Sequence, residues 1–131
     1  MEPLLTNASI SFHTNDEDKD DDTHVTITVR DENDTTAARV DSNFSRFPDH
    51  SDAGPYPLQI RNSSGKSVLQ RGSITIRVDP NGHDTWRFNW ELDLHFSDGS
   101  HLGAAVTGNQ LSQNARQDTW GLQGIIRLSR L

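Results

Sequence analysis

The sequence predicts an all-β protein, an antiparallel β-sandwich of about eight strands in a single domain spanning residues 1–131. Three observations support this fold class. Several segments alternate apolar and polar residues with a period of two, which is typical of strands with one buried face. No segment repeats apolar residues at the i, i+3, i+4 and i+7 spacing of a long amphipathic helix. The length of 131 residues fits one domain, because single domains cluster at roughly 100–150 residues.

The predicted strands follow one another with turn-forming residues between them. The longest strand runs from Trp86 to Phe96, where six apolar residues alternate with five polar ones. Residues 47–57 contain three prolines and are predicted to form a loop. In chain order the predicted strands are residues 10–12, 25–29, 38–41, 58–60, 74–78, 86–96, 102–106 and 122–128.

A hairpin is predicted where the two most regular neighbouring strands meet. The connecting residues 97–99 end in Gly99, which suits the left-handed position of a three-residue hairpin loop. This loop pairs His95 with His101 and Leu94 with Leu102. Both leucines then lie on the buried face, so the register is self-consistent.

Composition and charge exclude several classes of protein. Apolar residues make up 31% of the chain and no run of about 20 of them occurs, so a membrane-spanning helix is excluded. The first residues lack the basic start and apolar stretch of a signal peptide, and none is expected. The absence of cysteine excludes disulfides, thiolate metal sites and cysteine nucleophiles. A net charge of -7 disfavours nucleic-acid binding, since a phosphate backbone would be repelled.

The strongest chemical signal is an acidic loop between the first two strands. Residues 16–22 contain six acidic residues and one lysine. Ca²⁺ takes six to eight oxygen ligands, and a loop crowded with carboxylates can supply several of them. The EF-hand pattern does not fit, because Asp21 stands where it needs glycine and Ile27 where it needs glutamate. The alternative is a solvated acidic loop without a metal.

Strand directions predict which other loops lie near the acidic loop. If consecutive strands alternate in direction, residues 14–22, 42–56, 79–85 and 107–118 lie at the same end of the sandwich. Carboxylates gathered from several loops repel one another, and a divalent cation relieves that repulsion. The candidate Ca²⁺ ligands are therefore aspartates from three of these loops: Asp16, Asp18, Asp20, Asp22, Asp49, Asp52, Asp79 and Asp84.

The N-terminal segment resembles the start of a PLAT domain, and more broadly a C2-type sandwich. The resemblance rests on a strand, an acidic loop that opens with Thr14, Asn15 and Asp16, and a returning Val-x-Ile-x-Val strand at residues 25–29. It implies a sandwich that binds Ca²⁺ at one end and, through it, a lipid, protein or carbohydrate, with Asn15, Asp16 and Asp22 as ligands. No basic or aromatic tip is evident, so membrane docking is not expected.

A carbohydrate-binding module is the main alternative function. Exposed aromatic rings can stack on sugars, and Tyr56 and Trp120 are predicted to lie near the acidic loops, where they are candidate ligand-binding residues. Trp86, Phe88 and Trp90 fall on the buried face of their strand, so core packing is expected for them.

An enzyme is the least favoured class. His95 and His101 with Asp93 could bind a transition metal, and the carboxylate pair Glu91 and Asp93 could serve a hydrolase. No nucleophile elbow, zinc-protease motif or phosphate-binding loop is present. The sequence therefore predicts a non-enzymatic, calcium-binding β-sandwich module whose further partner is a carbohydrate or a protein.

Overall fold

The computed structural model describes residues 2–19, 22–44, 46–80, 85–124 and 126–128. Within these residues the strands are β1 (Leu5–Thr14), β2 (His24–Arg30), β3 (Thr36–Ser42), β4 (Asp52–Pro57), β5 (Gln59–Ile60), β6 (Ser73–Asp79), β7 (Thr85–Phe96), β8 (His101–Ser112), β9 (Gln117–Gly121) and β10 (Ile126–Leu128). A short helix, α1 (Lys66–Gln70), precedes β6. No helix of the described residues is long and apolar enough to cross a membrane.

The strands form two antiparallel sheets that pack against a common core. The front sheet has the order β10–β8–β7–β1–β4, and the back sheet has the order β5–β3–β2–β6–β9. The predicted fold class, an all-β antiparallel sandwich, is confirmed. The described residues contain ten strands rather than the predicted eight or so.

The core lies between the sheets and is filled by the strands that alternate most regularly. On β7 every second side chain is buried, from Trp86 to Phe96. Trp86, Phe88 and Trp90 are at most 1% exposed, which confirms their predicted place in the core. Because the pleat directs alternate side chains to opposite faces, the polar residues between them lie on the outer face of the front sheet.

Two strands lie where the sequence predicts loops. β4 falls within the predicted loop at residues 47–57, and β9 lies between the predicted strands 102–106 and 122–128, where no strand is predicted. Both are edge strands, each paired with a neighbour on one side only. An edge strand tolerates proline and needs less apolar surface, so neither β4 nor β9 carries a clear alternating pattern.

Other strands differ from the prediction in their bounds. β8 continues beyond residue 106 to Ser112, which pairs with Thr85. The predicted strand 122–128 is divided into a 3-10 turn at Leu122–Gly124 and the short β10. At residues 58–60 only β5 is a strand, because Leu58 lies at the crossing between the sheets and donates its N–H to Ala8 O of the front sheet (2.9 Å).

The hairpin between β7 and β8 has the predicted register. His95 pairs with His101, and Leu94 pairs with Leu102. Gly99 has a φ of 85°, the left-handed conformation that glycine adopts without steric cost. The turn is closed by a hydrogen bond from the N–H of Phe96 to Ser100 O (2.9 Å).

Strand directions place four connections at one end of the sandwich, here called the acidic end. The register pairs Val25 with Ser42 and His24 with Asp79 on the back sheet. It pairs Thr85 with Ser112 on the front sheet. The acidic end therefore holds the β1–β2, β3–β4, β6–β7 and β8–β9 connections, as the alternating directions predict.

Candidate functional site

The acidic loop is held by ion pairs with arginines from other parts of the chain. Asp16 Oδ2 lies 3.2 Å from an Nη atom of Arg87 on β7. Asp18 Oδ2 lies 2.9 Å from an Nη atom of Arg46 in the β3–β4 connection. Asn15 donates its side-chain N–H to Asn89 Oδ1 at 3.1 Å. These three predicted ligands therefore each bind a side chain of the protein.

The other predicted carboxylates are distributed around the acidic end. Asp52 Oδ1 lies 2.7 Å from His13 Nδ1. Asp79 accepts hydrogen bonds from Arg77, which is the main reason that its pKa is lowered, and Arg116 adds a weaker contact at 3.5 Å. Asp22 and Asp49 are exposed, while Asp20 and Asp84 lie outside the described residues.

A buried lysine supplies positive charge at the acidic end. Lys19 is 0% exposed, and its ammonium donates to the carbonyl oxygens of Thr23 (3.3 Å) and Asn43 (2.5 Å). It also lies 4.9 Å from the centre of the Phe47 ring, a cation–π contact. The backbone of Lys19 pairs with that of Phe47 in both directions, which fixes the β1–β2 loop against the β3–β4 connection.

Within the described residues, no three histidine or carboxylate side chains come together in a way that could hold a metal ion. Calcium binding therefore stays a prediction. For the alternative, a transition-metal site at His95, His101 and Asp93, the structure places the two histidines side by side. His95 and His101 stack with ring centres 5.3 Å apart and 20° between the rings, but no third ligand among the described side chains completes the set.

The two predicted ligand-binding aromatics pack partly into the core. The centres of the Tyr56 and Phe44 rings are 4.6 Å apart. Burial raises the pKa of the Tyr56 hydroxyl. Trp120 is half-buried and packs edge-on against Trp90 at 5.3 Å. It pairs with Ile74 near the start of β6, so it lies away from the acidic end. The expected exposed platform beside the acidic loops is not formed by Trp120, because residues 117–121 are a strand rather than a loop.

A groove with polar side chains in its walls lies on the outer face of the front sheet, and the sequence pattern does not predict it. Its volume is about 440 Å³, which lies within the roughly 300–1,000 Å³ of typical ligand sites. Residues of β1, β4, β7 and β8 line it: Ser11, Phe12, His13, Asp52, Ala53, Gly54, Asn89, Trp90, Glu91, Ala105 and Thr107. The indole of Trp90 and the ring of Phe12 are buried in the core, so these two residues contribute mainly backbone.

Two β-bulges flank this groove. Between β1 and β4 the register shifts from Ile10–Tyr56 to Phe12–Ala53, which leaves an extra residue on β4 at Gly54 and Pro55. Between β7 and β8 it shifts from Phe88–Asn109 to Trp90–Val106, which leaves an extra residue on β8 near Gly108. A bulge bends its strand and increases the local twist. Bulges on both sides therefore account for a hollow in a sheet face.

Gly54 is required at the first of these bulges. Its φ is 108°, and an added Cβ would lie 2.9 Å from Ile10 O and 3.1 Å from the Cα of Ser11. Because Gly54 has no side chain, the backbone of β4 approaches β1 closely at this point and leaves the adjacent groove open.

The groove places unpaired and fixed polar groups side by side. Glu91 is exposed on the central strand β7, opposite Ser11, and forms no ion pair with a described residue. Asn89 is fixed because its Oδ1 accepts hydrogen bonds from Asn15 and from the N–H of Gly108 (2.9 Å). The His13–Asp52 pair forms one wall. The groove therefore offers carboxylate, amide, imidazole and hydroxyl groups to one ligand.

A second depression continues the groove towards the acidic end. Its volume is about 240 Å³, and it is lined by Asn15, Asp16, Arg87, Gly108, Asn109 and Gln110. The hydrogen bond between Asn15 and Asn89 separates the two hollows, since Asn89 lines the first and Asn15 the second. Together they form a track along β7 that suits an elongated ligand.

Comparison with known proteins finds no family model, no curated protein and no solved structure that matches this chain.

Proposed function

We propose that the protein is a non-enzymatic carbohydrate-binding module whose ligand lies in the groove on the outer face of the front sheet. The observation that carries this proposal is the groove itself, about 440 Å³ in volume and walled by Glu91, Asn89 and the His13–Asp52 pair. Carboxylate and amide groups each offer two adjacent hydrogen-bonding atoms, which match the neighbouring hydroxyls of a sugar.

The arrangement of carboxylates favours binding over catalysis. Glu91 lines the groove and Asp93 does not, so the hydrolase pair considered from the sequence does not share a cavity. The other groove carboxylate, Asp52, is 88% exposed and is engaged by His13. A carboxylate in that position is solvated, whereas the general acid of a glycosidase lies in an apolar setting.

Replacing Glu91 with alanine tests the groove. We expect the Glu91→Ala protein to bind its sugar about tenfold or more weakly, because a hydrogen bond to a charged group contributes about 1.5–3 kcal/mol. Asp93→Ala is the matched control, since Asp93 lies two residues along the same strand and outside the groove. Its affinity should equal that of the parent protein. The measurement is calorimetric titration with the oligosaccharide that binds best on a glycan array.

Two outcomes would contradict the groove proposal. One is a glycan array without a signal for the parent protein. The other is an equal loss of affinity in Glu91→Ala and Asp93→Ala. The titrations are repeated in EDTA, where groove binding should be unchanged because protein side chains alone build the groove.

A calcium-binding module, as in the PLAT and C2 families that the N-terminal segment resembles, is the second proposal. It is favoured by the placement of four connections at the acidic end, with Asp22 and Asp49 exposed there. The described carboxylates Asp16, Asp18 and Asp79 already pair with arginines, so a bound cation must displace these pairs or use other acidic residues of the same connections.

Thermal unfolding in Ca²⁺, Mg²⁺ and EDTA tests the calcium proposal. We expect Ca²⁺ to raise the Tm, because a ligand that binds the folded state stabilises it by mass action. Mg²⁺ should raise it less, since it demands a tight octahedron. In Asp16→Asn/Asp22→Asn the Ca²⁺-dependent rise should fall sharply, while the Tm in EDTA should stay level or rise. Superimposable curves in all three solutions would remove the basis for a Ca²⁺ site.

A further inference from the structure

A cavity on the outer face of the back sheet collects arginine side chains on an acidic protein. It has a volume of about 290 Å³ and is lined by Arg39, Val40, Asp41, Gln59 and Arg61. It lies at the edge strand β5, which pairs with β3 only at Ala38–Ile60 and Arg39–Gln59. Where this pairing stops, the edge of β3 beyond Arg39 is left without a neighbouring strand among the described residues.

The backbone holds Arg61 in position at this edge. The N–H of Arg61 donates to Ala37 O at 2.7 Å, and the N–H of Asn62 donates to the same oxygen at 3.2 Å. The side chain of Asn62 also donates to Thr36 O at 2.7 Å. The chain therefore turns away from β5 in a defined conformation and leaves Arg61 beside Arg39.

Within the part of the chain that the structure describes, Arg61 is set apart from the other arginines by having no acidic partner. Among the arginines whose side chains the structure describes, the others each form an ion pair with an aspartate or glutamate: Arg30, Arg39, Arg46, Arg71, Arg77, Arg87 and Arg116. Arg61 forms none with a described residue. In a chain with a net charge of -7, a guanidinium that stays without a carboxylate is available to an external anion.

The lining groups leave the cavity with a net positive charge. Two guanidinium groups, of Arg39 and Arg61, face one carboxylate, that of Asp41. This carboxylate is occupied by Arg39 and by His24, whose Nε2 lies 3.4 Å from Asp41 Oδ1. The side-chain amide of Gln59 supplies further N–H donors. Cations and donors therefore outnumber acceptors around this space.

From this arrangement we infer that the cavity binds an oxyanion, a phosphate, sulfate or carboxylate group, through Arg61 and Arg39. The planar fork of a guanidinium matches two oxygens of such a group and forms charge-assisted hydrogen bonds with them. The ligand carries a single anionic group, because a polyanion such as nucleic acid would be repelled by the overall charge of the protein. This site lies on the other face of the sandwich from the sugar groove and does not depend on it.

Side-chain NMR of the arginines tests this inference directly. Phosphate, sulfate and acetate are titrated at constant ionic strength, with chloride as the balancing anion, while the Nε–H resonances of all arginines are followed. We expect at least one of the three oxyanions to shift the signals of Arg39 and Arg61 in a saturable way. The oxyanion that binds tightest distinguishes a tetrahedral group from a planar carboxylate.

Matched variants separate the site from general charge effects. Arg61→Gln should weaken binding at least tenfold. Arg71→Gln, which removes the same charge from an exposed arginine elsewhere, should leave it within twofold. Equal, non-saturating shifts at all arginines, or an unchanged affinity in Arg61→Gln, would overturn the inference. So would the absence of a saturable shift with all three oxyanions.

Discussion

Replacing Trp86 with alanine is expected to lower the free energy of unfolding by about 4 kcal/mol or more. Trp86 is 1% exposed and stacks on Phe88 with ring centres 3.8 Å apart. Phe12 and Phe47 pack around it at 5.2 and 5.6 Å between ring centres. Truncation leaves a cavity lined by these rings, and a large aromatic-to-alanine change in a core costs about 3–5 kcal/mol.

A lost hydrogen bond adds to this cost. The indole N–H of Trp86 donates to Thr14 Oγ1 at 3.1 Å, and Thr14 is itself only 1% exposed. Alanine leaves this buried hydroxyl without its donor, at a cost of roughly 1–3 kcal/mol. Since domains are stable by only about 5–15 kcal/mol, the variant should be close to unfolding at 25 °C.

Chemical denaturation followed by circular dichroism measures this effect. Trp120→Ala is the matched control, because Trp120 is a half-buried tryptophan on the edge strand β9. We expect its loss to be about half as large or less, since part of the side chain is solvated in the folded state. An equal or larger loss in Trp120→Ala would contradict the assignment of Trp86 to the centre of the core.

Replacing Gly72 with alanine is expected to destabilise the fold by about 3 kcal/mol or more. Gly72 lies between α1 and β6, and an added Cβ would be only 2.0 Å from Arg30 O. This oxygen belongs to the backbone of β2, which is held by β3 and β6 on both sides. Forcing extra atoms into packed structure costs about 1–3 kcal/mol and more where backbone must move.

The control for this variant is another glycine at the same end of the sandwich. Nothing lies within 4 Å of a Cβ added to Gly121, which pairs with Ser73 at the end of β9. Gly121→Ala should therefore change stability by no more than about 0.5 kcal/mol. Thermal and denaturant unfolding of both variants provide the comparison, and similar stabilities would show that the loop around Gly72 adapts to a methyl group.

The sequence predicts the parts of this fold whose side chains alternate. β7 and its hairpin with β8 have the predicted register because inner and outer positions are chemically different over many residues. The edge strands β4 and β9 lack this contrast. β4 reads Asp-Ala-Gly-Pro-Tyr-Pro, and its glycine and prolines favour a loop unless the neighbouring strand is known.

The groove could be predicted only in part. The alternation of β7 places Asn89 and Glu91 on the outer face, but a flat sheet face would not form a cavity. Its hollow depends on bulges at Gly54 and near Gly108, and a bulge is a mismatch between two strands that are distant in sequence. Gly-Pro in β4 and Thr-Gly-Asn in β8 are the local signals that could have indicated these positions.

The net charge counted over the acidic loop leaves out the basic side chains that the fold brings to it from distant parts of the sequence. The sequence places one lysine among six acidic residues, and this lysine turns out to be buried between two connections. Arg46 and Arg87, which bind Asp18 and Asp16, come from segments that only the fold brings near. The local charge of the acidic end is therefore less negative than the loop sequence alone indicates.

The bulge in β4 also affects how this protein behaves among copies of itself. β4 is an edge of the front sheet, and an exposed edge invites another chain to add a strand and begin aggregation. Pro55 and Pro57 have no N–H to donate, and the extra residue beside Gly54 bends the strand away from a straight template. The same residues that hollow the groove thus protect this edge against intermolecular sheet extension.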